Sequence, residues 1–279
     1  MTIPIQKIEQ SKIQWTGPTW NPWHGCQKVS AGCKFCYMFR DKERYGKKPT
    51  LVMRSKTKFN DPLKWKEPQL IFTCSWSDWF IEDADAWRPE AWEVIKNTPQ
   101  HTYQILTKRP ERIKDCLPPD WGDGYSNVWL GVSVESNDEK QRLEILADVP
   151  ARIRFISAEP LIGELDLEDI VDVISTKYHW LIIGGESGNN TGKYRFRSCE
   201  LSWIEKLIEQ GESMGLDVFV KQLGTHLGQT MMMKDRHAGN INEWPFELRV
   251  RQFPEDVSRY SLTEDNTLEN QKNEGERIA

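Results

Sequence analysis

The sequence predicts an α/β protein whose strands form an incomplete (β/α) barrel of the TIM type, with about six or seven parallel strands. The first observation is an alternation from residue 70 onward, in which short apolar runs and helical patterns repeat about every 20 to 30 residues. The second is the polarity of the residues that follow each apolar run. The third is the strand count, which is one fewer than in a closed barrel of eight. An open, doubly wound sheet is the alternative.

The predicted strands are short runs rich in β-branched and aromatic residues, and the predicted helices are amphipathic stretches between them. A first strand is expected within residues 13–23, and Pro110 is expected in the first turn of a short helix, where a proline is tolerated. The remaining strands are predicted at 70–74, 102–106, 128–134, 152–156, 180–183 and 218–220. The other helices are predicted at 34–45, 84–97, 137–146 and 198–214.

The length of 279 residues, with 38% hydrophobic and 28% charged residues, suffices for one barrel-sized domain with a large core. We assign residues 1–253 to this single domain. Residues 254–279 form a polar tail, which we expect to be mobile because it offers little apolar surface to bury. No apolar run approaches the roughly 20 residues of a membrane span, and the first residues lack the apolar stretch of a secretory signal. We therefore expect a cytoplasmic protein that does not enter a membrane.

Polar residues follow every predicted strand after the first. In parallel sheets these positions face the mouth where ligands bind, whereas the opposite strand ends serve stability. A single polar residue there can simply cap the next helix, but six polar exits on one rim favour a ligand site. Gly184 and Gly185 are expected to let a ligand approach the backbone closely. The exits are Cys74-Ser75 with Asp78, Thr107-Lys108-Arg109, Ser133-Val134-Glu135, Ser157-Ala158-Glu159-Pro160, Gly184-Gly185-Glu186-Ser187 and Lys221-Gln222.

Three cysteines lie close together between the first strand and the first helix, with the spacing Cys26-x6-Cys33-x2-Cys36. The chain has six cysteines and no evident export signal, so this group indicates metal binding rather than disulfides. Thiolates bind zinc and hold iron–sulfur clusters. Three thiolates on one loop leave a coordination position open. In a zinc site an open position indicates catalysis, and in a four-iron cluster it leaves one iron free for a cofactor.

The run Cys33-Lys34-Phe35-Cys36 resembles the second half of the C-x3-C-x-φ-C motif of the radical S-adenosylmethionine (SAM) superfamily, in which φ is aromatic. The resemblance implies that Cys26, Cys33 and Cys36 hold a [4Fe–4S] cluster. It also implies that SAM chelates the fourth iron and that Phe35 lies near the adenine. Six residues separate Cys26 from Cys33, whereas three residues separate the first two cysteines of the motif. Lengthening a loop by less than a doubling costs under about 0.6 kcal/mol in closure entropy, so the site is retained.

A longer stretch, from about residue 13 to residue 224, is similar to a group of phage-associated three-cysteine-motif proteins of uncharacterised function. The similarity is carried by WNPWHGC, LTKRPER, VWLGVSVES, ISAEPLIG, LIIGGESG and VKQLG. It implies a radical-SAM-like barrel without specifying a reaction. The GGE element that usually follows the second strand of radical SAM enzymes is replaced by TCSWSDWF, which leaves Ser75 and Asp78 as candidates for holding the SAM amino group. The other candidates for the SAM pocket are Ser133, Glu135, Gly184, Gly185 and Glu186.

Two classes of function follow. The first is an iron–sulfur enzyme in which the reduced cluster and SAM give a 5′-deoxyadenosyl radical that abstracts hydrogen from an unknown substrate, with an electron donor as partner. The second is a nucleic-acid-binding barrel stabilised by zinc, in which His24 or Cys74 completes the metal site. For the enzyme, the candidate catalytic residues are Lys108, Arg109, Glu159 and Lys221.

Two basic stretches are candidates for binding a nucleic acid or nucleotide. One runs from Arg54 to Lys66 and includes Phe59 and Trp65, and the other runs from Lys193 to Arg197. Basic residues bind phosphates and aromatic side chains stack on unpaired bases. A solvated surface with aromatics packed beneath it is the alternative. Because the net charge is −5, any nucleic acid has to be bound by such a local patch rather than by the overall field.

Overall fold

The computed structural model describes residues 8, 10–260 and 262. These residues form nine strands, seven of which make one parallel sheet and two of which pair as a small antiparallel hairpin. The strands are β1 (Thr19–Trp20), β2 (Trp23–His24), β3 (Met53–Arg54), β4 (Leu70–Thr73), β5 (Thr102–Thr107), β6 (Val128–Ser133), β7 (Ile153–Leu161), β8 (Trp180–Gly185) and β9 (Asp217–Gln222). The hairpin consists of β2 and β3.

The α-helices in the described residues mostly connect one strand of the sheet to the next. They are α1 (Tyr37–Arg44), α2 (Arg88–Lys96), α3 (Ile113–Cys116), α4 (Gln141–Ala147), α5 (Val171–Lys177), α6 (Leu201–Ser213) and α7 (Gly224–Thr230). None of them is long and apolar enough to cross a membrane.

The strand order of the large sheet is β1-β4-β5-β6-β7-β8-β9, so each strand pairs with the next one along the chain apart from the hairpin. A doubly wound sheet reverses its strand order at a switch point, and this sheet has no reversal. That alternative is therefore wrong. Within the described residues β1 and β9 are the two edges and do not pair with each other, which confirms an incomplete barrel.

All six strands predicted after residue 70 are present, and the first strand falls inside its predicted window. The strand predicted at 152–156 continues as β7 to Leu161. The helix predicted at 34–45 begins only at Tyr37, because the backbone of Cys36 is extended (φ −51°, ψ 130°). A short helix does begin at Pro110 as expected, as a 3₁₀ turn that leads into α3. The hairpin, α5 and α7 were not predicted.

Aromatic side chains fill the concave side of the sheet. Trp15 packs against Phe72 and Trp180, with ring centroids 4.7 and 6.1 Å apart, respectively, and Phe155 lies in the same cluster. Gly131 makes room for this cluster, since a Cβ on it would lie 2.3 Å from Phe155 Cε2. The opposite side of the sheet forms a second, larger core with the helices. Strand side chains alternate between these two cores, as the pleat of a strand requires.

The first part of the predicted polar tail contacts the aromatic cluster. Val257 and Leu262 pack against it, and Tyr260 is buried in it, with its hydroxyl 2.6 Å from Thr102 Oγ1. Glu255 accepts hydrogen bonds from the Arg152 guanidinium at 2.6 and 2.9 Å. The rest of the predicted tail, residues 261 and 263–279, lies outside the described residues.

Candidate functional site

A cavity of about 450 Å³ opens at the carboxyl ends of the parallel strands. Cys26, Cys33, Phe35 and Cys36 form one wall of it. Each of the six predicted strand exits also contributes residues to the cavity lining, so the sequence-based expectation of a shared rim is confirmed. Representative residues of the six exits are Ser75, Lys108, Ser133, Glu159, Glu186 and Lys221.

The alternation of side chains along each strand explains why this end of the barrel is polar. On β7, Phe155 lies in the aromatic cluster, and Ser157 and Glu159, two and four residues later, line the cavity. On β9, Phe219 lies in the cluster and Lys221 lines the cavity. The concave face thus changes from aromatic to polar within one or two pleats.

The segment between β2 and α1, here called the cysteine loop (residues 25–36), is held by backbone contacts. The amide of Gly25 donates to the Trp76 carbonyl oxygen at 3.0 Å, and the amide of Cys26 donates to the Pro49 carbonyl oxygen at 3.0 Å. Gly25 has φ +101°, and a Cβ on it would lie 2.2 Å from the Leu51 carbonyl oxygen. Only glycine fits there, so the position of Cys26 depends on the residue before it.

Burial is the main influence on the ionisation of two loop thiols, Cys26 and Cys36. It raises the pKa of Cys26 to about 12, with Asp78 acting in the same direction and Arg109 against it. Burial also raises the pKa of Cys36, although the backbone amides of Met38 and Phe39 oppose this. Both thiols are therefore protonated at neutral pH in the metal-free chain. A metal that binds them has to displace these protons.

Among the described residues, no group of three or more His, Cys, Asp or Glu side chains is arranged to hold a metal ion. Thiolates on one zinc ion are each about 2.3 Å from the metal, so they lie within about 4.6 Å of one another. In a four-iron cluster each thiolate binds a different iron, and the sulfurs stand farther apart. Cys26, Cys33 and Cys36 line one cavity, but their side chains in this structure are not arranged to hold a metal ion.

The zinc alternative requires His24 or Cys74 as the fourth ligand. His24 is not among the residues that line the cavity, and its Nδ1 atom is 2.5 Å from Lys42 Nζ. Cys74 lines the cavity and is buried. Of the two candidates, only Cys74 therefore shares the space with the three loop cysteines.

Asp78 organises the exits of β4 and β5. Its Oδ1 atom accepts hydrogen bonds from Thr107 Oγ1 at 2.7 Å and from the Phe80 amide at 2.9 Å. Its Oδ2 atom accepts from the Lys108 amide at 3.0 Å and lies 3.2 Å from Arg109 Nη1. Because both oxygens are occupied by protein donors, the role of Asp78 in this structure is to position its neighbours rather than to bind a ligand.

Arg109 connects the exit of β5 to the cysteine loop. Its Nη2 atom donates to the Gln27 carbonyl oxygen at 2.9 Å, and its Nη1 atom is 3.9 Å from Cys26 Sγ. Among the residues that the structure describes, Arg109 is thus the cationic side chain that contacts a loop thiol.

Ser75 is the other candidate for holding a cofactor amino group. It lines the cavity and exchanges hydrogen bonds with Asn21 at 2.9 and 3.3 Å.

Glu135 lies beneath the cysteine loop and does not line the cavity. It is fully buried and accepts hydrogen bonds from Ser30 Oγ at 3.1 Å and from Arg142 Nη1 at 2.9 Å. Lys108 Nζ also donates to it. A Cβ on Gly32 would lie 2.2 Å from Glu135 Oε1, so the carboxylate packs directly against the loop. Glu135 therefore supports the loop, and Lys108 uses its amine for the same purpose.

Glu159 and Lys221 form an ion pair on the cavity wall, with Lys221 Nζ 2.8 Å from Glu159 Oε1. Gly184 makes room for this pair, because a Cβ on it would lie 2.6 Å from the same carboxylate oxygen. Gly184 itself does not line the cavity, whereas Gly185 does. The missing side chain at Gly184 thus leaves space for the Glu159 carboxylate rather than for a ligand.

The family described as "Protein of unknown function (DUF5131)" matches residues 10–250. The chain belongs to the DUF5131 family. The match includes the cysteine loop and all seven strands of the large sheet. A search of curated proteins found no match, and neither did a search of solved structures.

Sequence reasoning did not place Arg197 beside the cysteine loop of this DUF5131 protein. Arg197 forms an ion pair with Glu186 and donates from Nη1 to the Ala31 carbonyl oxygen at 2.7 Å. Its guanidinium carbon lies 5.2 Å from the centroid of the Phe35 ring. In the sequence Arg197 is visible only as part of a basic run, and no spacing connects it with the cysteines.

The basic stretch from Arg54 to Lys66 does not offer aromatic side chains to a nucleic acid in this DUF5131 protein. Phe59 and Trp65 are buried in the core, so the stacking role expected of them is wrong. Lys58 and Lys64 both pair with Asp61, at 3.3 and 2.8 Å. In the second stretch, Lys193 pairs with Glu43 at 2.8 Å and Arg197 pairs with Glu186. Most of the basic side chains that we singled out are thus neutralised within the protein.

Proposed function

We propose that this DUF5131 protein is an iron–sulfur enzyme of the radical SAM type. The proposal is carried by one observation: Cys26, Cys33 and Cys36 line the same cavity as the polar exits of the barrel strands. Three thiolates leave one iron of a four-iron cluster open to a cofactor. Reduced by one electron from an external donor, such a cluster would cleave bound SAM to methionine and a 5′-deoxyadenosyl radical, which would take a hydrogen atom from the substrate.

The chain's own residues would hold and shield the cluster. The three thiolates would bind the iron atoms, and the Arg109 guanidinium, whose Nη1 is 3.9 Å from Cys26 Sγ, would offset part of their negative charge. Met38 and Phe39 lie on the cavity wall next to Cys36 and are buried, so they limit the access of water to that side of the site. Exclusion of water and orientation of the reactants are what a protein contributes to cofactor chemistry of this kind.

The strand exits that line the cavity are suited to a polar cofactor. The cavity volume of about 450 Å³ lies within the range of roughly 300 to 1,000 Å³ for small-molecule sites. Ser75, Ser133 and Ser157 offer hydroxyl groups, and the Glu159–Lys221 pair offers both signs of charge to an amino acid moiety. On the side of the cysteine loop, Phe35 supplies a flat ring surface for an adenine. Gly185 does not add open backbone surface as expected, because a Cβ on it would lie 2.2 Å from the Leu223 carbonyl oxygen, and its missing side chain thus makes room for that backbone.

Anaerobic reconstitution with iron and sulfide, followed by metal and sulfide analysis, tests this proposal. We expect about four irons per chain and a reducible centre. Cys26→Ala, Cys33→Ala and Cys36→Ala should each lose the iron. Cys116→Ala and Cys199→Ala are matched controls, because neither thiol lines the cavity, and both should keep it.

Stoichiometric zinc without uptake of iron would contradict the proposal and would favour the zinc-stabilised nucleic-acid-binding barrel. If the iron binds, release of 5′-deoxyadenosine from SAM under reducing conditions provides the second measurement. A four-iron protein that neither binds nor cleaves SAM would retain the cluster and reject the radical chemistry.

A further inference from the structure

The segment from Lys28 to Lys48 is strongly basic, although the net charge of the whole chain is −5. It contains seven lysine and arginine residues and only two acidic residues. The segment comprises most of the cysteine loop, helix α1 and the turn that follows. Positive charge is thus concentrated around the part of the chain that carries the three cysteines.

The two acidic residues do not neutralise this surface. Asp41 pairs with Arg40 at 2.9 Å, and Glu43 pairs at 2.8 Å with Lys193, which comes from a different part of the chain. Lys42 is buried. The five remaining basic residues are exposed, and none has a carboxylate oxygen within 4.0 Å in the part of the chain that the structure describes: Lys28, Lys34, Arg44, Lys47 and Lys48.

This basic surface adjoins the mouth of the cavity. Lys34 Nζ lies 5.2 Å from the centroid of the Phe35 ring, and Phe35 lines the cavity. Lys28 Nζ donates to the Lys34 carbonyl oxygen at 2.8 Å. Tyr37 lines the cavity and is 42% exposed, and Tyr45, at the end of α1, is 68% exposed. Two unpaired cations and the exposed ring of Tyr37 therefore occur together at the cavity, and α1 connects them to the remaining residues of the surface, which are Arg44, Tyr45, Lys47 and Lys48.

We propose that this surface binds single-stranded nucleic acid and presents it to the cavity as the substrate. The surface consists of Lys28, Lys34, Arg44, Lys47 and Lys48 with Tyr37 and Tyr45. Unpaired cations attract phosphates, and exposed tyrosines stack on unpaired bases. An acidic protein would match the charge but would leave the exposed tyrosines without a stacking partner. The role as substrate rests on the proposed enzyme, whereas the binding itself does not require the cluster.

Anisotropy measurements with a fluorescent single-stranded oligonucleotide test the surface on the full, anaerobically reconstituted chain. If five cations contact phosphates, the logarithm of the affinity should fall with the logarithm of salt concentration with a slope of about −3.5. The double variant Lys47→Glu with Lys48→Glu should weaken binding by about tenfold or more and reduce the slope by about 1.4. Tyr45→Ser should weaken single-stranded binding about fivefold or more and affect duplex binding less.

Lys56→Glu with Lys66→Glu is the matched control. It makes the same charge change at two exposed lysines in the earlier candidate stretch, and it should alter affinity by less than about twofold. Equal weakening by the control pair would overturn the proposed surface. Salt-independent binding, or no binding at low salt, would also overturn it. Equal competition by poly-glutamate would assign the surface to an acidic protein instead.

The same titration on cluster-free chain separates this inference from the enzyme proposal. Binding that is retained without iron, and weakened about tenfold or more by the Lys47 and Lys48 changes, supports the surface whatever the fate of the cluster. Normal iron content with no nucleic-acid binding rejects the surface and leaves the proposed cofactor chemistry in place.

Discussion

Arg197 and Glu186 form a bidentate ion pair at the edge of the cavity, with Arg197 Nε 2.8 Å from Glu186 Oε2 and Arg197 Nη2 2.5 Å from Glu186 Oε1. The same guanidinium donates to the carbonyl oxygen of Ala31, two residues before Cys33. Paired geometry of this kind fixes an arginine in direction as well as in charge. Arg197 therefore fastens the cysteine loop to the end of β8.

On the proposed function, we expect Arg197→Met to weaken the binding of the iron–sulfur cluster without removing a ligand. A hydrogen bond to a charged group is worth about 1.5 to 3 kcal/mol, so the loop should open more often and lose iron to a chelator roughly fivefold faster or more. Arg195→Met is the control, because Arg195 is exposed and bonds the carbonyl oxygen of Gly192. Equal rates of iron loss in the two variants would show that Arg197 does not restrain the loop.

Asp166, in the connection between β7 and α5, predicts a pH dependence of stability. The Lys206 amine, the Glu168 amide and the Gln210 side chain donate hydrogen bonds to it and lower the pKa of its carboxyl group. A depressed pKa stabilises the fold above the unfolded-state pKa of about 3.9, and this stabilisation is lost as the pH falls through the lower folded-state value.

Denaturant unfolding of Asp166→Asn should therefore show a lower midpoint than the natural chain at pH 7. The difference should shrink as the pH is lowered below about 4. Asp169→Asn, on the same connection, is the control, since Asp169 is exposed and pairs only at the surface with Lys140. A difference between Asp166→Asn and the natural chain that persists unchanged into strong acid would contradict this account.

The strands of the barrel were predictable because their local signal is strong. A run such as Val128–Ser133 follows the polar Asn127, is mostly apolar and is buried along its whole length, as a strand with both faces covered should be. Helix α7 gave no such signal, since Gly224 and Gly228 both disfavour helix in a seven-residue segment. Its formation depends on packing against β8, which is a tertiary effect.

The meeting of the cysteines with Ser133, Gly185 and Glu186 on one cavity was also predictable, from the rule that parallel strands end at one rim. The hydrogen-bond partners of the charged side chains were not predictable. The Glu135 carboxylate accepts hydrogen bonds from Ser30, Lys108 and Arg142, which come from three other parts of the chain. Local sequence indicates where a carboxylate stands but not which distant donors occupy it.

Cys74 lines the cavity with the loop cysteines but stands on a different element, at the end of β4. Its amide donates to the Trp20 carbonyl oxygen at 2.9 Å, and its side chain is only 3% exposed. Its backbone is left-handed, with φ +55°, a conformation that alanine and cysteine adopt at similar cost. Cys74→Ala therefore removes the thiol without adding backbone strain.

We expect Cys74→Ala to retain about four irons per chain, because the three cysteines of the loop suffice and the fourth iron must stay open for a cofactor. On the proposed function, SAM should then change the spectrum of the reduced centre equally in the variant and in the natural chain. Cys116→Ala is the control, because it removes a thiol that does not line the cavity. Loss of the metal from Cys74→Ala, with Cys116→Ala unaffected, would establish a closed four-cysteine site and exclude SAM from it.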